Sequence, residues 1–295
     1  MRTDQPRNAQ PKKLKKESQF MVVAKRIIRN PTAAIGFIIF LVLLFLAIFA
    51  PILTPYKYTQ MDMQSTFLGP SLKHPCGTDN LGRDILTRLL YGGRYSLSMG
   101  FISMLAAATA GVVIGALCGF YLGKFDFAVM RFLDIFQAIP GMLLTIAIAA
   151  ALGAGFDKTI FALAISRIPA MARITRGSVM KVRQNEFIEA AEAIGCSHFR
   201  RIFLHVLPNS LAPVIVEITM GVATTVITLS SLSYIGLGVQ PPIPEWGAML
   251  SAAKGYIRTY PYMILFPGLF IAVTVLALNL AGDGLRDALD PKLKT

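Results

Sequence analysis

Charged residues are scarce in this sequence, since Asp, Glu, Lys and Arg make up only 15% of its 295 residues. Soluble domains carry about 25% charged residues, so this chain has too little polar surface to cover a globule in water. Its hydrophobic content of 54% also excludes an intrinsically disordered chain. We therefore expect a lipid bilayer to be its solvent.

Cysteine and histidine are equally scarce, with three residues of each. The cysteines lie far apart and are odd in number, so they predict neither a disulfide framework nor a CxxC metal site. The histidines have no metal-ligand spacing. The sequence also contains no P-loop pattern GxxxxGK[ST], no GxSxG and no HExxH. We expect no catalytic residue, no metal site and no cofactor, so that any energy must come from a partner or an ion gradient.

The basic residues are unevenly distributed. The net charge is +13, which in a soluble protein would suggest a nucleic-acid partner. Here, with a cytoplasmic N-terminus, 21 of the 29 Lys and Arg fall in segments on the cytoplasmic side of the predicted helices. This predicts a multi-pass protein of the cell membrane with both termini in the cytoplasm and no nucleic-acid partner. The basic arm, residues 1–32, is expected to lie near anionic headgroups of the bilayer.

Six apolar stretches are long enough to cross the hydrocarbon core as helices. They are residues 33–53, 96–122, 133–152, 159–180, 211–235 and 260–281. The sequence therefore predicts an all-α polytopic membrane protein with six transmembrane helices. Residues 54–95 form an extracytoplasmic segment, residues 96–283 a helical core, and residues 284–295 a cytoplasmic tail.

The extracytoplasmic segment contains a predicted amphipathic helix that starts near Asn80. Asp79 and Arg83 are spaced as an ion pair on a helix, as are Asp84 and Arg88. The helix is either part of a docking surface for another protein or a solvated cap on the bundle.

Four glycines recur at a spacing of four in the second predicted span. They are Gly111, Gly115, Gly119 and Gly123. A stripe of this kind lets another helix approach closely, so we expect a tightly packed helix pair.

The stretch between the fourth and fifth spans, residues 186–209, predicts a helical hairpin. Its first half is amphipathic, Gly195 ends that helix as a left-handed residue, and Ser197 caps a second helix. Pro208 is expected to stop the second helix before the fifth span. The apolar stripes of the hairpin either meet a partner protein or pack only on the ends of the membrane helices.

The hairpin sequence resembles the EAA loop of ABC-importer permeases. The matching residues are Glu189, Ala190, Ala191, Gly195, His205, Leu207 and Pro208, where the family often has Ile in place of His205. In that family the loop inserts into a groove on the cytoplasmic ATPase subunit and transmits its closure. The resemblance therefore implies an ATPase-coupling role for these residues.

Three further segments are similar to the dipeptide, oligopeptide and nickel permeases of the same family, and their order fits the second, C-type, subunit. They are residues 77–84 with 91–97, residues 232–238 with 241–242 and 246–247, and residues 279–287 with 290–291. The resemblance implies an ABC type I importer transmembrane domain. It would work as a heterodimer with a second homologous permease, with two cytoplasmic ATPase subunits and an extracytoplasmic solute-binding protein.

The function implied by this resemblance is a non-catalytic permease subunit that forms half of a pathway for di- and oligopeptides. The alternatives are a permease for nickel or another small solute, and an ion-coupled secondary transporter. A secondary transporter would need acidic residues or broken helices near the midplane of the membrane. Glu217 is the one plausible acid for that role.

Of the charges inside predicted spans, Asp134 is expected near a cytoplasmic end and Arg173 and Arg176 at the membrane edge, which leaves Arg167 and Glu217. A charge there costs about 2.5–3.5 kcal/mol on insertion scales, so both are candidate pathway residues. Arg167 either faces the pathway and pairs with a peptide carboxylate, or extends to the membrane edge. Glu217 either pairs with Arg167 or with a partner chain, or is an interfacial carboxylate.

Overall fold

The computed structural model describes residues 25–289, and these fold into helices with no β-strand among them. We number nine helices: α1 Pro31–Ile48, α2 Ile85–Tyr121, α3 Gly123–Gln137, α4 Gly141–Leu152, α5 Phe156–Arg183, α6 Glu186–Ala193, α7 His198–Tyr234, α8 Trp246–Ala253 and α9 Tyr262–Leu289. The all-α prediction is confirmed for this part of the chain. Most of the basic arm and the end of the tail, with residues 290–291 of the family motif, lie outside the described residues.

Four helices, α1, α2, α7 and α9, are long and apolar enough to cross a membrane. Together, α3 and α4 would supply a fifth span, although they meet at a bend of 85°. Helix α5 has 28 residues, but its charged side chains leave it outside this group. By length and composition the described residues thus give four or five spans, and the count of six stays a prediction.

The third predicted span, residues 133–152, is not one continuous helix. Helix α3 ends at Gln137 and α4 begins at Gly141, with Pro140 between them in a non-helical conformation (φ −51°, ψ 127°). Proline has no backbone N–H and disfavours a helical conformation in the residue before it, which explains the break. The apolar pattern of this segment continues through the break, so Pro140 inside the predicted span was its sign in the sequence.

Helix α2 begins at Ile85, well before the predicted start at residue 96. The Asp84 carboxylate caps it by accepting a hydrogen bond from the Thr87 N–H at 2.7 Å. The predicted amphipathic helix is therefore not a separate element that starts near Asn80. Its residues from Ile85 onward are the first turns of one long helix that continues into the bundle.

Helix α2 packs against α5 more extensively than any other pair of helices in the described chain. A Cβ at Gly115 would lie 2.3 Å from the Ala172 carbonyl oxygen, and Gly111 and Gly119 make equally close approaches to the same helix. Gly123 does not share this contact, because it follows the end of α2 at a φ of +68° with open space around it. Three of the four glycines thus allow the two backbones to touch.

Helix α1 is apolar around its whole circumference. Its small residues Ala33 and Gly36 contact α9, where a Cβ at Gly36 would lie 2.7 Å from the Ala281 nitrogen. On its outer side, large side chains such as Ile38 and Leu41 are more than half exposed. An exposed apolar surface of this kind is expected of a helix that lies against lipid.

A buried hydrogen-bond network joins α8 to the first half of α2. The Glu245 carboxylate, 0% exposed, accepts hydrogen bonds from the Gly247 N–H at 2.9 Å and the Ser96 hydroxyl at 3.0 Å. The Trp246 indole donates to the Leu89 carbonyl at 2.9 Å. Burial raises the pKa of the Glu245 carboxyl, and the hydrogen bonds oppose that shift. Glutamate is not among the usual helix caps, so the sequence pattern did not single out this residue.

Replacing Gly115 with Ala should destabilise the bundle, because the added methyl group must separate α2 from the backbone of α5. We expect a loss of roughly 1–3 kcal/mol, the usual effect of overpacking. It would be measured as a lower thermal unfolding temperature of the purified protein. The matched control is Gly177→Ala in α5, where a Cβ meets nothing within 4 Å. Equal unfolding temperatures for the two variants would contradict the close contact.

Candidate functional site

The helical hairpin, residues 186–209, consists of α6 and the first turns of α7. A Schellman turn joins its two helices: Gly195 has a φ of +79° and its N–H donates to the Glu192 carbonyl at 2.9 Å. The Cys196 N–H donates to the Ala191 carbonyl at 3.0 Å. The Ser197 hydroxyl then caps α7. The turn at Gly195 and the helix cap at Ser197 both lie where the sequence pattern predicts them.

The hairpin has two apolar faces. One packs on the ends of α2 and α5, through Ile188, Ile202 and Val206 against Ala116, Phe120 and Val179. The other is open, with Phe187 46%, Ile194 84%, Phe199 70% and Leu204 59% exposed. The hairpin therefore packs on the bundle and still presents an apolar surface that no described residue covers.

The residues of the EAA-like pattern are divided between these surroundings. Glu189, Ala190 and Pro208 are exposed, whereas Ala191 is buried against the bundle. His205 and Leu207 are partly buried. The His205 ring lies 3.9 Å from the Cys196 sulfur, which connects α7 to the turn of the hairpin.

Pro208 does not stop the second helix of the hairpin, contrary to the expectation. Helix α7 is continuous from His198 to Tyr234, and its segment Arg201–Val206 is π-helical. The wider π turn accommodates a proline that cannot donate a backbone hydrogen bond. The hairpin is thus directly continuous with a membrane-length helix.

Arg201 ties the hairpin to the bundle. The residue is 5% exposed, and its guanidinium forms an ion pair with Glu192 at 2.6 Å and lies 5.7 Å from the centre of the Phe120 ring on α2. The hydrogen bond from Arg201 lowers the pKa of the Glu192 carboxyl. Beside these groups, a cavity of about 470 Å³ opens between the hairpin and the ends of α2 and α5, and Glu189 lines it.

Charged side chains also link α3 to α5 near the hairpin. Arg176 donates two hydrogen bonds to Asp126, and Arg173 pairs with Asp134. Arg131 is 3.4 Å from Asp134 and stacks on the Phe127 ring at 5.2 Å. The aspartates near the ends of the predicted spans are therefore held by arginines of the neighbouring helix.

Arg167 and Glu217, the two candidate pathway charges, lie on neighbouring helices. Arg167 is partly buried on α5 and lines a cavity of about 360 Å³ between α5, the α3–α4 bend and α7. Glu217 is partly buried on α7 and interacts with Arg167 electrostatically. The described residues include no hydrogen bond between the two.

At the opposite end of the bundle, buried charges stabilise the segment before α2. Asp79 pairs with Arg83 at 2.7 Å, as predicted. The predicted pair of Asp84 and Arg88 does not form. The Asp84 Oδ1 lies 2.9 Å from the His74 Nδ1, and the Arg88 Nε lies 3.7 Å from the Asp79 Oδ2. The i,i+4 spacing does not apply to Asp84, because this residue caps the helix and its carboxylate is used there.

The same segment contains a cysteine with no described bonding partner among residues 25–289. Burial raises the pKa of the Cys76 thiol to about 11, so this thiol stays protonated at neutral pH. No group of three or more His, Cys, Asp or Glu residues in the described chain is arranged to hold a metal ion.

A family model for the binding-protein-dependent transport system inner membrane component matches residues 111–295. The chain belongs to this family. A second model, for the N-terminal transmembrane domain of oligopeptide transport permease C, matches residues 18–70. The resemblance of the sequence to C-type permeases is therefore confirmed. The chain is a polytopic transport subunit of the inner membrane.

Curated relatives match along almost the whole length of this permease. The dipeptide transport system permease protein DppC of Alkalihalophilus pseudofirmus is 44% identical over 271 residues, which are 92% of this chain and 89% of the relative. The glutathione transport system permease protein GsiD of Pectobacterium atrosepticum is 43% identical over 272 residues, 92% of this chain and 90% of the relative. GsiD of an Escherichia coli O6:K15:H31 strain is 44% identical over 271 residues, with 92% and 89% covered.

The fold agrees with that of a solved importer. The chain is similar to a subunit in inward-facing structures of the MetNI methionine ABC transporter, with a TM-score of 0.57 and 19% identity, covering 69% of this chain and 96% of that one. A second crystal form gives a TM-score of 0.55 with 20% identity and covers 68% and 94%. This likeness confirms the fold of an ABC importer transmembrane subunit.

Replacing Arg201 with Gln should loosen the hairpin, because the contact with Phe120 and the ion pair with Glu192 are lost together. We expect the amides of α6 to exchange with solvent roughly two- to fivefold faster, as for the loss of one cation–π contact. The measurement is hydrogen exchange of the purified permease. The control is Arg200→Gln, which removes the same charge from an exposed neighbouring position. Equal exchange in both variants would show that Arg201 does not hold the hairpin.

Proposed function

We propose that this permease forms half of the membrane pathway of an ATP-driven importer for di- and oligopeptides. The observation that supports this most strongly is its 44% identity, over 92% of the chain, to a permease named for dipeptide transport. Relatives named for glutathione transport match equally well, and glutathione is itself a tripeptide. The shared chemistry of these cargoes is a short peptide with free carboxylates.

The proposed orientation places the hairpin in the cytoplasm together with both termini. The excess of Lys and Arg in the corresponding segments supports it, since cytoplasmic loops are enriched in these residues. The segment before α2 and the helix α8 then face the outside. Their buried network of Glu245 and Trp246, with the Asp79 cluster, would form a firm surface on which a solute-binding protein docks.

Energy in this proposal comes from partner subunits, because the sequence has no P-loop of its own. The open face of the hairpin, with Ile194 and Phe199 exposed, offers an apolar surface to a cytoplasmic ATPase subunit. The closed face is fixed to α2 and α5 through Ile188 and Arg201. A movement of the ATPase would therefore reach the membrane helices with little loss.

The complete transporter would contain this chain, a second homologous permease, two ATPase subunits and a binding protein. ATP binding closes the ATPase dimer, the hairpin moves with it, and the helices change from inward to outward access. Because α7 continues from the hairpin into the membrane without a break, it is the most direct route for that movement.

Uptake by the purified complex in vesicles tests the cargo and the energy source together. We expect uptake of a labelled dipeptide that requires ATP and the binding protein, and that persists when the proton gradient is collapsed. Uptake that stops on collapse of the gradient with ATP intact would favour a secondary transporter. Uptake of nickel without uptake of a dipeptide would favour the nickel alternative. Either result contradicts the proposal.

Crosslinking tests the role of the hairpin. After Cys196, the one partly exposed cysteine among the described residues, is replaced by Ser, a single cysteine is introduced as Ile194→Cys. In membranes that contain the whole transporter, we expect it to crosslink to an ATPase subunit. The control is Leu72→Cys, which is fully exposed in the segment before α2 and should not capture the ATPase. Capture from both positions, or from neither, would contradict the coupling role.

A further inference from the structure

Arg167 differs from the other arginines in the middle of α5. Arg173 and Arg176 each pair with an aspartate of α3. The Arg167 guanidinium has neither a hydrogen bond nor an ion pair to any described residue, and Glu217 interacts with it only at longer range. The fold thus pairs Arg173 and Arg176 and leaves Arg167, deeper in the bundle, without an anion in contact.

Arg167 lies at the edge of the tight contact between α2 and α5. The centre of that contact on α5 includes Ala172, Thr175 and Val179, which meet the glycines of α2. The Arg167 side chain is not among the atoms nearest these glycines, and it lines the cavity of about 360 Å³. This volume is within the range of about 300–1,000 Å³ typical of small-ligand pockets.

The cavity lining contains one charged side chain among the described residues, and it is Arg167. The three hydroxyls that line it already donate to backbone carbonyls: Thr145 to Gly141 at 2.7 Å, Ser166 to Leu163 at 2.9 Å and Thr228 to Thr224 at 2.9 Å. The Gln137 side-chain amide also lines the cavity, and the remaining side chains are apolar. A ligand in this cavity would therefore find one charged partner, the Arg167 guanidinium, beside a neutral amide.

A partly buried guanidinium without a contacting anion is unfavourable in an apolar region of a membrane protein, and residues of this kind usually mark a substrate or ion route. A guanidinium holds a carboxylate through two parallel hydrogen bonds, and it repels a metal cation. The group that suits this site is therefore an anion with two oxygens, brought by a mobile ligand.

We infer that Arg167 is a carboxylate subsite of the pathway, which binds the C-terminal carboxylate of a peptide during its passage. This inference rests on the proposed function, because it takes a short peptide as the cargo. Glu217 limits the strength of the site, since its negative charge also attracts Arg167 and so favours release. The subsite gives the membrane subunit a selectivity of its own, in addition to that of the binding protein.

The test compares one dipeptide in two forms, with a free C-terminal carboxylate and with a C-terminal amide. ATP-dependent uptake of both forms is measured in vesicles with the wild-type complex and with Arg167→Gln. The binding protein is the same in both complexes, so its own preference cancels when the acid-to-amide uptake ratios are compared. We expect this ratio to fall about tenfold in the variant, mainly through slower uptake of the acid. Arg131→Gln, which removes an exposed arginine of α3, should leave the ratio unchanged.

Equal loss of uptake for both peptide forms would overturn the inference, because it is the result expected if Arg167 pairs with a partner subunit. An unchanged ratio would overturn it as well. If Arg167→Gln does not assemble, Arg167→Lys keeps the charge but loses the paired hydrogen bonds, and the same ratio should then fall by a smaller factor. If the wild-type complex imports no dipeptide in either form, the proposed function itself fails, which is distinguishable from a change in the ratio.

Discussion

The contact between α2 and α5 is the constraint on which the rest of the structure depends. Three glycines allow the two backbones to touch, so neither helix can slide or tilt without a clash. In a bilayer there is little hydrophobic force between helices, and close packing of this kind replaces it. Helix α5 carries arginines that would otherwise weaken its place in the bundle, and the glycine contact fixes it despite them. The hairpin and the cavity at Arg167 are both positioned by this pair.

The position of the hairpin depends on the α2–α5 pair. Its buried face is anchored at the end of the α2–α5 pair, through apolar contacts and through Arg201 over the Phe120 ring. Its exposed face has nothing to cover it in the described chain. One face of the hairpin is fixed to the bundle, and the other exposes apolar side chains that a partner could contact. Such an element is suited to transmit a movement of the partner, because a flexible loop would absorb it. One apolar stripe of the hairpin packs on the ends of the membrane helices, and the binding of a partner by the exposed stripe stays a prediction.

Local chemistry made part of this structure predictable. Gly195 and Ser197 end and begin helices through bonds to neighbours in sequence, so their roles follow from residue type and position. The close contact made by the glycines of α2 is likewise predictable from their spacing. Gly123 is the exception, because it follows the end of the helix. The start of α2 was missed because Asp79 and Asp84 are equally good caps in isolation, and the choice depends on His74 and on the turn around Asp79. Glu245 was missed because glutamate is an uncommon helix cap and because its partner Ser96 lies on α2, far away in sequence.

Several charges of the bundle are held in ion pairs, and Arg167 is not among them. Asp126 and Asp134 each have an arginine of α5 in contact, and the charges before α2 form a buried cluster. Pairing of this kind removes the penalty of charge in an apolar setting, and it also makes the paired groups unavailable to a ligand. A pathway that must bind and then release an anion needs the opposite arrangement, with a cation whose nearest counter-charge is close enough to stabilise it and too far to occupy it. Arg167 with Glu217 on the next helix has this arrangement, in the part of the bundle where the α3–α4 bend leaves space for a ligand.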